Sequence, residues 1–146
     1  MPTTGGYSNP AIQQRPARNV WQAIKSGFLG RCPHCDSGRL FGAFMKPVDQ
    51  CANCSEEMHH HRSDDLPPYL VIFVVGHIVV GGYLIAERMV DWNSWQHLSL
   101  WAPVTVAMAV LLMQPIKGAV IGLQWANYMH GFSGEEDDAV ELFHPE

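Results

Sequence analysis

Four cysteines fall in two pairs, Cys32-Pro33-His34-Cys35 and Cys51-Ala52-Asn53-Cys54, with fifteen residues between the pairs. A two-residue gap lets one tight turn aim both sulfurs at a single ion, and the segment between the pairs folds back as a hairpin that brings them together. The spacing predicts one structural zinc held tetrahedrally by Cys32, Cys35, Cys51 and Cys54. With every ligand position filled by sulfur, none is open for an activated water, so the zinc is expected to hold shape and not to catalyse. Gly38 and Gly42 would supply turn freedom, and Leu40, Phe41, Phe44 and Val48 a small apolar shell. Two other uses of the cysteines fit less well. Disulfides conflict with the cytoplasmic placement that the charge distribution implies, and a thioredoxin-like redox pair would open a helix within a βαβ pattern, which neither pair does.

Histidine offers two further candidates. The run His59-His60-His61 could recruit copper, nickel or zinc, but neighbouring residues fan by ~100° on a helix and alternate on a strand, so a solvated linker is the simpler reading. His77 is different, because it falls inside an apolar run where an ionisable group is normally functional or partnered; it is a candidate intramembrane site. Gly81, Gly82 and Ala86 beside it, with Ala102, Thr105 and Ala109 on the next apolar run, are candidate helix-interface residues, and Thr105 is placed to meet the imidazole. A hydrogen-bonded packing role for His77 competes with haem ligation, copper handling, proton transfer, or a lipid or quinone contact. Haem and copper are not favoured, and haem ligation by one histidine is weakly specific where no Cys-x-x-Cys-His attachment motif is present. No phosphate loop and no set of nucleophile, base and oxyanion donors occurs, so an enzyme is not expected.

The elements that must position these residues are legible from composition. The chain has 146 residues, 47% hydrophobic and 16% charged, which limits it to one domain, or a small one beside a second element, and excludes a large multidomain enzyme. A net charge of -5 argues against a nucleic-acid partner. Leu66 to Ala86 is 21 residues without a charge, and Leu98 to Ile116 is another 19, closed by Lys117, whose stem can snorkel to headgroups. Each is long enough to cross a ~30 Å bilayer core. Two core helices of a soluble protein would need more surrounding chain than this one has. The first 19 residues are polar and are not a signal peptide. Seven of nine Lys and Arg precede residue 66, which puts both termini in the cytoplasm and leaves Glu87 to His97 as an outer loop, with Trp92, Trp95 and Trp101 at the interface and Tyr69 at the opposite boundary.

The fold class expected is therefore an α-helical membrane protein, a two-helix transmembrane hairpin preceded by a small cytoplasmic zinc-ribbon-like module. Its parts are a disordered arm (1–19), an amphipathic segment and zinc module (20–64), the hairpin with a helical extension (65–132) and an acidic tail (133–146) carrying six carboxylates. Asp64 and Asp65 would cap the first span, with Pro67 and Pro68 tolerated in its first turn. Val20, Trp21, Ile24 and Phe28 lie at helical spacing beside Arg18, Lys25 and Arg31, which suits a short helix on the membrane surface with its bases on anionic headgroups. After Pro115, Lys117 and Gly118, the run Ala119 to His130 reads as a kinked extension or an interfacial helix.

The segments Gly30-Arg31-Cys32-Pro33-His34-Cys35, Gly38-Arg39-Leu40-Phe41, Cys51-Ala52-Asn53-Cys54, Asp64-Asp65-Leu66-Pro67-Pro68-Tyr69, Gly76-His77 and Pro115-Ile116-Lys117-Gly118, in this order, carry a resemblance. Over roughly Val20 to Phe132 the chain resembles an uncharacterised family of small proteobacterial inner-membrane proteins, a domain of unknown function that pairs a double Cys-x-x-Cys zinc motif with two transmembrane helices. Genes of that family often lie among those for cytochrome c oxidase assembly. The resemblance implies a bacterial inner-membrane location and a partner in the oxidase or its assembly machinery, and implies no activity. The chain departs at Ser55, where glycine commonly follows the second knuckle. The function expected is a non-enzymatic zinc-binding accessory protein in contact with the lipid bilayer and a membrane complex; the alternative is a membrane protein that handles copper, haem or electrons during cofactor delivery.

Overall fold

The computed structural model describes residues 16–59, 65–129 and Phe132. His60, His61, Asp64, the arm before residue 16 and the acidic tail lie outside them. The elements are α1 (Val20–Phe28), β1 (Phe41–Ala43), β2 (Lys46–Pro47), α2 (Leu66–Met89) and α3 (Ser94–Ala126). The strands form one antiparallel hairpin in which Phe41 faces Pro47 and Ala43 faces Lys46, turned through Met45 at φ 63°.

Helices α2 and α3 are both long and apolar enough to cross a membrane, and only 11% and 17% of their most apolar stretches lie inside the protein. Such exposure is the reverse of a soluble core helix. Their connection is shorter than expected. α2 continues to Met89, and α3 starts at Ser94 because Asn93 caps it: Gln96 N donates to Asn93 Oδ1 at 3.0 Å, and Asn93 N donates back to Gln96 Oε1 at 2.9 Å. At the other end, Asp65 precedes α2 but its side chain makes no capping bond. A cap oxygen needs the backbone N–H of the second or third helical residue, and here those are Pro67 and Pro68, which have none.

The 33 residues of α3 run unbroken past Pro103 and Pro115, so the expected separate extension is the last third of one helix. At ~1.5 Å per residue α3 measures about 50 Å, well beyond the ~30 Å of a bilayer core. The excess carries the rest of the protein. Ala23 and Gly27 of α1 meet Gly122 and Gly118 of α3 backbone to backbone, and a Cβ on any of the three glycines would collide with the facing chain. Matching small residues four apart on both helices is what permits this approach. α1 is therefore docked along α3, antiparallel to its end. Only its far flank, with Trp21 and Phe28, stays exposed.

One core joins the pieces. Leu40, Phe41 and Met58 from the cysteine segment, Ala23 from α1, and Ile121, Trp125 and Ala126 from α3 are buried together with Cys32, Cys51 and Phe132. Phe44, expected in this shell, is 59% exposed at the hairpin turn. Its place is taken by α3, whose contribution lies about eighty residues away in sequence. Two cations expected at headgroups are also engaged by protein. Arg18 donates to Trp125 O at 2.6 Å and stacks between the Trp125 and Tyr128 rings at 4.0 and 3.9 Å, and Lys117 Nζ donates to Met45 O at 2.9 Å.

Candidate metal centre

Each cysteine pair sits on a tight turn. Asp36 N donates to Cys32 O, and Ser55 N donates to Cys51 O, both at 2.9 Å, and the residue after each pair adopts a left-handed backbone, Asp36 at φ 55° and Ser55 at φ 58°. Each turn is closed by a short antiparallel bridge, Arg31 opposite Arg39 and Gln50 opposite Glu57. The two turns are thus built alike, and the β1–β2 hairpin between them brings them face to face.

The four Sγ atoms lie within 4.8 Å of one another, with Cys32–Cys54 and Cys35–Cys51 both at 3.8 Å. Four sulfurs at ~2.3 Å from a central zinc would stand about 3.8 Å apart, so the donor set fits a tetrahedral ion. Tetrahedral sulfur suits zinc or iron among common metals. Gly38 serves the site by closeness and not by turn freedom: its Cβ would strike Cys51 Sγ, while its N–H donates to Cys35 Sγ at 3.4 Å and its carbonyl accepts from Cys32 N at 2.8 Å. Asn53 Nδ2 reaches the same sulfur at 3.7 Å.

These contacts divide the thiols. Hydrogen bonds from the Gly38 and Ser37 amides hold Cys35 at about 6, below its ordinary 9.0, while burial pushes Cys32 and Cys54 up. Of these three, Cys35 is the thiol most readily ionised. Arg31 and Arg39, like charges on one bridge, flank Cys32 and Gly38 and would offset the net negative charge of four thiolates around a divalent ion.

The other sequence candidates do not join this cluster. His59 pairs with Glu57 at 4.0 Å and is half exposed. His77 projects outward from α2, donating Nδ1–H to Phe73 O at 2.7 Å, and Thr105 donates its hydroxyl to Trp101 O at 2.7 Å. Each uses its own helix, so the expected His77–Thr105 contact does not form. Of the expected interface residues, Gly82 faces the Trp101 ring, Gly81 has open space around it, and Ala102 points outward; Ala86, Thr105 and Ala109 are half-buried. Sequence reading missed the anchors of the cluster: Met58, Ile121, Trp125 with its Nε1–H donating to Glu56 Oε1 at 2.7 Å, and the glycine seam. It also missed His97, which is 7% exposed and packs on Tyr83 and Trp92 with ring centroids 5.0 and 5.5 Å away. The Gly118-x-x-x-Gly122 spacing was the available signal for the seam.

A family model described as "Protein of unknown function (DUF983)" matches residues 41–125, from β1 through nearly all of α3. No curated protein and no solved structure matches the chain.

Proposed function

The chain belongs to the DUF983 family, which brings no activity with it, and we propose on its geometry that it is a non-enzymatic, zinc-binding accessory protein of the bacterial inner membrane. In this reading α2 and α3 span the bilayer, both termini are cytoplasmic, and the protein docks on cytochrome c oxidase or its assembly machinery. One observation carries the non-enzymatic part: a closed four-sulfur cluster, with no position left for substrate, is fastened backbone to backbone onto the end of an apolar helical hairpin. Such a site stiffens a platform at the membrane and does no chemistry of its own. Orientation rests on the Lys and Arg excess before residue 66. The oxidase is nominated by the resemblance to proteins encoded among oxidase-assembly genes.

Zinc, when bound, would cross-link the two turns through Cys32, Cys35, Cys51 and Cys54 as a redox-inert ion. The chain's own residues do the remainder. Gly38 and Asn53 orient Cys35, and the Arg18–Glu56–Trp125 contacts tie the second turn to α3. Purification from native membranes in mild detergent tests the reading: oxidase subunits in stoichiometric amount, with about one zinc per chain, are expected for a four-cysteine site. A chain recovered without partners and loaded with copper or haem would overturn it in favour of the cofactor-handling alternative. That alternative has one observation on its side, the outward-facing Nε2 of His77, whose other ring nitrogen is fixed by Phe73 O as in many metal-ligating imidazoles.

A further inference from the structure

His77 sits in the middle of α2, in a stretch with no charged residue from Leu66 to Ala86, and faces away from α3. The side of α2 turned to α3 is marked by Pro67, Val71, Val75 and Gly82. Stepping 100° per residue puts Phe73, His77, Val80 and Leu84 on the opposite, outer side, where Phe73, Val80 and Leu84 are more than half exposed, with Gly81 at the edge of that face next to His77. This face carries two features that lipid does not satisfy. Because Nδ1–H is committed to Phe73 O, a ring carrying one proton presents Nε2 as a bare acceptor, with no donor to it among the described residues. One turn further on, nothing lies within 4 Å of the position a Gly81 Cβ would take, so a second backbone can come close.

We propose that this outer face of α2 is the docking surface for a transmembrane helix of the partner, one that carries a side-chain hydroxyl or amide donor to His77 Nε2 and makes its closest approach over Gly81. The proposal rests on the accessory-protein reading and names the surface that reading requires. Hydrogen-bond complementarity selects the occupant. Hydrocarbon tails offer no donor. A second copy of this chain, related by a two-fold axis passing beside His77 and keeping the same Nδ1–H to Phe73 O bond, would bring an acceptor and no donor to Nε2.

The full-length chain in its native membranes tests this by photo-crosslinking. A photoreactive side chain is placed at Val80 or Leu84 on the outer face, and at Val79 as a control off that face. Expected is a cross-link from positions 80 and 84 to a membrane helix of another protein that holds a Ser, Thr, Tyr, Asn or Gln at the level of His77, with a yield about tenfold or more above that at 79. In the same assay His77→Phe and Gly81→Leu should each lower the yield about tenfold, whereas His77→Gln, which keeps an acceptor near the Nε2 position, should stay within about twofold. Zinc content and membrane insertion of each variant are measured in parallel, so that loss of the fold is recognised; Gly81→Leu has room in the isolated chain and should retain both. Equal yields from 79 and 80, adducts to lipid alone, a product at twice the mass of this chain, or haem or copper lost on His77→Phe would each overturn the proposal. Oxidase subunits that co-purify but cross-link only from other faces would sink this surface and leave the accessory reading standing. No partner by either method would sink both.

Discussion

Ser55 and Asp36 hold the same left-handed conformation one residue beyond Cys54 and Cys35, at φ 58° and 55°. A side chain in that region costs roughly 1–2 kcal/mol relative to glycine. Ser55→Gly is therefore expected to stabilise the metal-bound turn by about 1 kcal/mol, read as roughly fivefold slower zinc loss in a chelator competition. An unchanged or faster loss would count against strain at that position. The thiols yield a second expectation. With the metal removed at pH 7, Cys35, held at about 6 by the Gly38 and Ser37 amides, should be alkylated before Cys32 and Cys54, whose thiols burial pushes up, as peptide mapping would register. Its depressed value stabilises the folded apo turn fully above the ordinary 9.0; the contribution shrinks as pH falls and is lost below about 6. Apo protein in which Cys54 reacts first would contradict this. The ligand set was legible at this scale because Cys-x-x-Cys is a local signal. The role of Gly38 was not, since the sulfur that excludes its Cβ belongs to Cys51 on the other turn.

Among elements, the α1–α3 seam is the most exacting contact in the molecule. Gly27→Ala, Gly118→Ala and Gly122→Ala each drive a methyl into facing backbone, which cannot yield as a side-chain tip can. Each should destabilise the docking of α1 by about 1–3 kcal/mol, measured as a lowered thermal midpoint of the zinc-loaded protein in detergent. Gly81→Ala, with nothing within 4 Å and with about 0.5–1 kcal/mol of helix preference gained, should not lower that midpoint and so serves as the control. Equal effects at 81 and 118 would mean the seam is not as described. Sequence patterns predicted the existence of α1, α2 and α3, and missed where α2 ends and where α3 begins and ends. The Asn93–Gln96 capping box is a three-residue signal that would have placed the start of α3. Pro115 read as an interruption because proline forfeits one hydrogen bond, yet α3 absorbs it within a long helix whose end is packed on α1 and the cysteine turns.

Over the whole molecule, the cysteine segment has little core of its own and borrows Ile121, Trp125 and Ala126 from α3. Loss of the metal should accordingly be felt on both sides of that shared core. Chelation is expected to open residues 30–58 to protease and to loosen the end of α3, while the helical circular dichroism of α2 and most of α3 persists. Simultaneous loss of all helical signal would show the hairpin to depend on the metal, against this arrangement. Composition alone determined the broad plan of two long apolar helices beside a four-cysteine cluster, because charge-free length and Cys spacing are properties of neighbouring residues. Tertiary structure alone decided that α1 is clamped to α3, that Arg18 and Lys117 serve protein carbonyls, and that His77 looks outward. Each depends on which distant chain segment arrives at a given face. The apolar patterns of α2 and α3 are too uniform around the helix to encode that choice, which is settled where Gly118 and Gly122 leave room for another backbone.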